Sequence, residues 1–434
     1  MDKPSFQELV RLFGRIGLVS FGGPAGQIAL MHKELVHERQ WIGEEQFLRA
    51  LNFCHLLPGP EAQQLATWVG WRLHGVRGGL AAGGLFVLPG ALVMLLLSMV
   101  YALAANVRWF PVLFLGIKAA VLALVVQALL RIGGRALNTR FKLGLSIASF
   151  LALTLFNAPF PLVVLGAGVI GALAAARRPQ WLKLKDVPPA QDEAASRTPV
   201  RAVVVALAAA WALPFVLIAL LLGPHHVLMD IAAFFSRLAV VTFGGAYAVL
   251  AYMAQEAVQT YQWLKPGEMA DGLGLAETTP GPLIMVTQFV GFLAAFRMPE
   301  PFSPLVAGML GALVTTWVTF VPCFLWIFAL APWIERLEHA QRLQGALSAL
   351  TAAVVGVVAN VALWFALHVL FWEVGNARLG PLSVAVPDIH MLNVQALALS
   401  ALAFALLFWA RMGIVTILGL CGLAALLLRA WLHM

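Results

Sequence analysis

Charge is what this sequence has least of. Asp, Glu, Lys and Arg make up only 11% of its 434 residues, less than half the usual share of a soluble domain, and this excludes a fold bathed in water on all sides. Cysteine is nearly absent as well. Cys54, Cys323 and Cys421 show no C-x-x-C spacing, so a disulfide framework, a thiolate metal centre and a dithiol redox pair are not expected, and the three read as buried inert thiols. The histidines are scattered without an H-E-x-x-H set, and no flavin fingerprint or haem-ligand pair occurs. A membrane enzyme is therefore not expected, nor is a metal or a cofactor. The opening MDKPSFQELVRLFGRIG lacks an uninterrupted apolar core and a small-residue cleavage site, so it is expected to remain on the mature chain.

What is present is apolar. Hydrophobic residues account for 61% of the chain, and stretches such as 79–105 and 202–222 are long enough for a helix to cross a hydrocarbon layer of about 30 Å. Apolar segments lie near 7–30, 60–76, 79–105, 109–131, 143–158, 160–176 and 202–222, then near 228–254, 282–297, 303–331, 343–372, 393–410 and 413–431, about thirteen in all. The expected fold is an all-α integral membrane protein. The net charge of +8 does not point to nucleic acid, because the basic residues collect in loops rather than on one surface. Arg131, Arg135, Arg140 and Lys142 crowd one connection and Arg177, Arg178, Lys183, Lys185, Arg197 and Arg201 the next. By the positive-inside rule both lie in the cytoplasm. The N-terminus is expected there too, and the C-terminus on the opposite side.

The chain contains itself twice. At a constant offset of 222 positions, the separation of Phe21 from Phe243, Phe21-Gly22-Gly23 meets Phe243-Gly244-Gly245 and Pro58-Gly59-Pro60 meets Pro280-Gly281-Pro282. Gln40-Trp41 then meets Gln262-Trp263, Glu34 meets Glu256, and Arg15 meets Arg237. So many rare residues at one offset mark an internal duplication. The expected division is a first repeat over 1–176, a polar cytoplasmic linker over 177–201, a connecting membrane helix over 202–222 and a second repeat over 223–434. Seven segments precede the second copy. An odd number of crossings between equivalent positions inverts one copy relative to the other, the arrangement of many secondary transporters.

Both repeated motifs are helix breakers. A helix that stops inside a membrane is tolerated only where protein or a water-filled cavity covers the released backbone. Pro24 and Pro60 each suit the first turn of a new helix, whose unpaired amides and partial positive charge would face back toward the break, and two such motifs in each copy give four helix starts. Four such helix starts favour an oxyanion. Gln27, Gln64, Thr278, Thr279, Thr287 and Gln288 flank the breaks as neutral donors. Arg15 and Arg237 stand two turns before their glycine pairs, either as anion contacts or as anchors reaching the interface. Glu61 opens the helix after the first P-G-P, either as a dipole cap or as a proton-coupling acid, whereas its counterpart is Leu283. Paired glycines also serve close helix packing, so each motif alone is ambiguous. Glu34 and Glu256 read as interfacial. Lys118 stands alone in an apolar segment, as partner of a buried acid or as an anion contact.

The pairing of SFGGPAGQIALMHKE with LLPGPEAQQLATWVGW, and of VTFGGAYAVLAYMAQE with TTPGPLIMVTQFVGF, resembles the chromate ion transporters over nearly the whole chain. The match is to the long form of that family, with two homologous halves in opposite orientation. The resemblance implies export of chromate across a bacterial inner membrane, with sulfate as competitor. A sulfate or general oxyanion importer and an anion channel are the alternatives, and a homodimer is possible. The family pattern carries over at Phe21, Gly22, Gly23, Pro24, Gln27, Pro58, Gly59, Pro60, Glu61 and Gln64, and at Phe243, Gly244, Gly245, Pro280, Gly281, Pro282, Thr287 and Gln288. Ala251 departs from it, where relatives often carry proline after A-V-L, which leaves the bend of that helix open.

Overall fold

With no water in hydrocarbon to satisfy a peptide group, a membrane chain of this composition has to form helices. The computed structural model describes residues 4–21, 23–104, 107–183, 201–241, 246–331, 340–380 and 382–432, and nearly all of its ordered backbone is helical. The first copy opens with α1 (Phe6–Val19), α2 (Gly23–His32) continued by a π turn over Lys33–Glu38, and α3 (Glu44–Leu56). It continues with α4 (Glu61–Ala104), α5 (Phe110–Ala136), α6 (Arg140–Phe156) and α7 (Phe160–Arg177). After α8 (Arg201–Leu221) the second copy repeats the pattern as α9 (Val227–Val241), α10 (Ala246–Gln255) with a π turn over Glu256–Thr260, and α11 (Pro266–Thr278). Next come a 3₁₀ turn over Leu283–Met285 leading into α12 (Val286–Arg297), then α13 (Pro304–Leu330), α14 (Gln341–Leu370), α15 (Val394–Phe404) and α16 (Ile414–Leu432).

The duplication is visible in the backbone. The offset of 222 carries both ends of α3 onto both ends of α11, and both P-G-P breaks fall at matching places. Gln40 and Gln262 each hold the left-handed conformation at φ 53°, unusual for residues with a Cβ. Among the described residues α8 alone has no counterpart helix. The second copy adds one element to an otherwise helical chain, an antiparallel hairpin of β1 (Val374–Leu379) and β2 (Leu382–Pro387). The apolar segment expected near 7–30 is two helices separated at Ser20 and Phe21. α10 runs unbroken through Ala251, which settles the continuity of that helix. Of the polar linker, 184–200 lies outside the described residues, and Pro179–Trp181 forms a single 3₁₀ turn.

Six of these helices are long and apolar enough to cross a membrane, among the described residues. α8 shows why lipid must be their surroundings. It exposes Val205, Leu213, Val216, Leu217, Leu220 and Leu221 and buries only Ile218, a surface that water would not tolerate. This is a multi-pass membrane protein.

The chain forms two compact units, each drawing on both copies. One comprises Met1–Met99, Lys185–Val249 and Thr279–Ala340, and the other Val100–Leu184, Leu250–Thr278 and Gln341–Met434. Helices in lipid gain nothing by hiding apolar surface from one another, so close backbone approach through small residues has to hold them together. In the first unit α4 reverses at His74 and Gly75, where the backbone leaves helical geometry, and its two arms return along each other. A Cβ on Gly70 would strike the carbonyl of Gly78, and one on Gly83 would strike the Thr67 hydroxyl. α12 and α13 repeat the device with Gly291 against Thr315 and Gly311 against Gly291. The second unit uses Gly171 against Gly345, Gly356 against Ser146 and Gly116 against Cys421.

Valine at Gly70 should therefore force the arms of α4 apart. We expect a loss equivalent to about 1–3 kcal/mol, read as a lower apparent melting temperature in detergent. Valine at Gly84, where nothing lies within 4 Å of the added carbon, should leave the melting temperature unchanged.

Candidate functional site

The interruptions that the sequence placed far apart meet in the first unit. α1 ends at Val19 and α2 starts at Gly23, so the carbonyl of Ser20 has no intrahelical donor. It is taken by the other copy. The amide of Gly281 donates to the Ser20 carbonyl at 2.9 Å, and the side-chain amide of Gln27 donates to the Gly281 carbonyl and, at 3.5 Å, to that of Ser20. Gly281 sits at φ +89° with its α carbon side packed on Gly90, whose own hydrogen side faces the Pro280 carbonyl. Any side chain at Gly90 would collide there.

The first P-G-P is built the same way. Gly59 takes φ +117°, α4 starts directly after Pro60, and Gln64 reaches back so that its Nε2 donates to the Pro58 carbonyl at 2.7 Å. A Cβ at Gly59 would lie 2.8 Å from Cys323 Sγ and 3.0 Å from Gln64 Nε2. Gln288 donates through Nε2 to the Ala91 carbonyl at 3.0 Å, and the Thr287 hydroxyl donates to Ile284. Gln63 donates to the Thr67 hydroxyl at 3.1 Å. The nitrogens of Gln27, Gln64 and Gln288, read from the sequence as donors to an anion, are thus engaged by main-chain carbonyls of the protein itself.

The other ends of these side chains are bare. Gln27, Gln63, Gln64 and Gln288 are each at least 96% buried, and the Oε1 of every one has no hydrogen-bond partner among the described residues. The hydroxyls of Ser20, Thr315 and Thr319 are buried and unpartnered too. Buried polar atoms are normally satisfied, so this concentration in one unit marks a place prepared for something else. Its buried acids are Glu34 and Glu61, and no Lys or Arg is buried among its described residues. Positive potential there has to come from helix starts.

The remaining expected residues divide. Pro24, Pro60, Thr279 and Pro282 lie at the breaks, and Glu61 is buried at the first turn of α4. Phe21 is 44% exposed. Gly22, Phe243, Gly244 and Gly245 lie outside the described residues. Arg15 turns away from the interruptions, with its side chain 66% exposed and a nitrogen 3.7 Å from Glu34. Arg39 approaches the same carboxylate at 3.4 Å, so Glu34 is a buried, doubly paired acid. Arg237 is exposed, with Nε donating to the Ala233 carbonyl. Cys54, Cys323 and Cys421 are free and buried.

The family model for the chromate transporter matches residues 7–172 and 229–426, one stretch in each copy. The chain belongs to the chromate transporter family. It is 32% identical over 360 residues to a chromate transport protein of Pseudomonas aeruginosa, covering 82% of this chain and 79% of that one. It is 26% identical over 384 residues to a chromate transport protein of Cupriavidus metallidurans, covering 88% of each. A transporter of Methanocaldococcus jannaschii is 27% identical over 370 residues, 85% of this chain and 86% of that one. No solved structure matches the chain. Members of this family are transport proteins and not enzymes.

The second unit of this chromate transporter family member holds a charged cluster whose members lie far apart in sequence. Lys118 finds Asp271, with Nζ 3.3 Å from Oδ1, and Tyr101 donates its hydroxyl to Oδ2 at 2.8 Å. Gly267, one turn before Asp271, leaves room for the ammonium group, since a Cβ there would lie 3.0 Å from Nζ. Of the two roles open to Lys118, the structure shows partnership with a buried acid. On the surface of the first unit, His32, His37 and Glu44 bring three potential metal-ligand atoms within 4.8 Å of one another, with His32 Nε2 2.8 Å from the Glu44 carboxylate. Their sequence spacing, across a π turn, carries no recognisable ligand pattern.

Removing one member of the buried pair strands the other. Lys118→Met should cost about 3–5 kcal/mol, and adding Asp271→Asn should recover most of the loss, because the neutral amide keeps its bond to Tyr101. Thermal unfolding of the two single variants and the double variant in detergent measures the coupling.

Proposed function

We propose that this protein exports chromate from the bacterial cytoplasm across the inner membrane by alternating access, binding the oxyanion among the helix starts of its two copies. The observation that carries the reading is the junction of Ser20 and Gln27 with Gly281, which brings interruptions from both copies into one buried polar place. A tetrahedral oxyanion suits first-turn amides, which have no acceptor within their own helix. The buried hydroxyls of Ser20, Thr315 and Thr319 in the same unit have no partner among the described residues. With no buried cationic side chain in that unit among its described residues, the anion would be held by dipoles strong enough to attract it and weak enough to release it. Sulfate, alike in shape, is the expected competitor.

Direction follows from charge. An inside-negative potential favours outward movement of an anion by about 2.3 kcal/mol per charge per 100 mV, so efflux needs no other energy source, whereas import of a dianion needs at least two co-transported positive charges. Proton exchange could add to this, with Glu61 as the candidate acid. Everted membrane vesicles should accumulate chromate when energised and stop when the potential is collapsed. Uptake that survives the collapse counts against electrical drive. Gly23→Leu should abolish uptake while the protein still inserts, since Gly23 holds φ +76° and its added side chain would enter open space beside the break. Full activity of that variant removes the site from this place.

The orientation of the copies rests on α8. Because every other helix of the first copy has an equivalent in the second, α8 supplies the extra crossing that would turn the second copy over, placing the N-terminus in the cytoplasm and the C-terminus outside. Glu38 and Thr260 are equivalent exposed positions at the 222 offset. With the three native cysteines replaced, a cysteine at Glu38 and one at Thr260 should react with an impermeant maleimide from opposite faces of the membrane. Labelling from one face would make the copies parallel.

A further inference from the structure

The bare oxygens of the four glutamines bear on which protonation state of a ligand they would accept. Amide orientation is fixed here by chemistry rather than by choice. Turning Gln27, Gln64 or Gln288 over would set its oxygen against a main-chain carbonyl oxygen. Gln63 is held similarly, because the Thr67 hydroxyl that receives its amide already donates its own hydrogen to the Gln63 carbonyl. Each Oε1 is consequently committed as an acceptor, buried, and without a donor. Three of the side chains are tied to one short stretch of structure: Gln63 lies against Gly83, Gln288 binds Ala91, and Gln27 binds the Gly281 that packs on Gly90, while Gln64 reaches the Pro58 carbonyl beside Gly59. Residues 83 to 91 of one helix span about 12 Å.

A fully ionised tetrahedral dianion has four acceptor oxygens and nothing to donate. Set beside these glutamines it would be repelled by them and would leave them unsatisfied, a mismatch that sites reading an O–H commonly turn into a large discrimination. An oxyanion that keeps one proton can donate its O–H to one of these amide oxygens, which the dianion cannot do, while its bare oxygens face first-turn amides. Resting on the chromate reading above, we infer that the species bound and carried is the singly protonated anion, hydrogen chromate. This also gives a basis for selectivity. Chromate holds a proton in appreciable fraction near neutrality, whereas sulfate gives up its last proton only in strong acid. The competitor expected from shape is then a weak one.

The titratable groups near these oxygens are Glu61 on the helix of Gln63 and Gln64, the Cys54 and Cys323 thiols, and the paired Glu34. The charged side chains Glu8, Arg11, Arg15, Arg72, Arg77, Asp230, Arg237 and Arg297 on the surrounding helices are exposed. A pH dependence can therefore arise on the protein as well as on the ligand, and sulfate separates the two. In proteoliposomes of the full chain, chromate uptake is measured from about pH 6 to about pH 8.5, alone and against sulfate, at a fixed imposed potential. The KM for total chromate should rise by up to roughly tenfold per pH unit at the alkaline end. Sulfate should inhibit at least about tenfold more weakly than chromate binds, without strengthening on acidification. A KM that stays flat or falls with pH, while uptake continues, overturns the inference and leaves chromate transport standing. So does sulfate inhibition that sharpens in parallel with chromate affinity, because the proton then resides on the protein. Absence of chromate uptake at every pH overturns both.

Discussion

A peptide group released from a helix inside a membrane must be given a partner by the protein, and the architecture of the first unit answers that demand. Two glutamines and one main-chain amide do this at the breaks. Gln64 serves the Pro58 carbonyl and Gln27 with the Gly281 amide serves Ser20, while Gln288 adds a bond to the Ala91 carbonyl within α4. Without those donors the breaks would cost several kcal/mol each, and with them the chain can hold open helix starts at membrane depth. The donors at these breaks are neutral side-chain and main-chain amides.

Apart from Glu61 at the start of α4, the buried acids described above are paired. Glu34 is held between Arg15 and Arg39 in the first unit, and Asp271 by Lys118 and Tyr101 in the second. Close glycine contacts provide the remaining order, since apolar side chains gain little from meeting one another rather than lipid. Gly70 and Gly78 let one segment reverse on itself, and Gly90 lets the second P-G-P approach a helix backbone.

Much of the fold was legible in the sequence, because hydropathy marks long membrane helices and an exact offset marks a duplication. The breaks at Ser20, Gly59 and Gly281 were equally legible from Gly and Pro. The elements missed are those whose faces are mixed. α3 and α11 interleave Glu, Gln, Arg, Asp and Gly with apolar residues, so they read as polar connections, yet α11 carries the Asp271 that accounts for Lys118. The hairpin of Val374–Leu379 and Leu382–Pro387 was hidden between two apolar runs by its shortness. At the candidate site the sequence shows residue types but not the direction of their hydrogen bonds. Sequence identifies Gln27, Gln64 and Gln288 as polar groups beside breaks, but only geometry shows which end of each amide the backbone has taken.

The bond between Gln27 and Gly281 joins residues 254 positions apart. At roughly 5–20 residues per second of synthesis, Ser20 and Gln27 leave the ribosome on the order of ten seconds or more before their partner exists. During that interval the first copy cannot finish its own broken segment. It must wait at the translocation machinery or in the headgroup region with water on the Ser20 carbonyl, and biogenesis becomes a question of which factor shelters an incomplete fold until translation catches up.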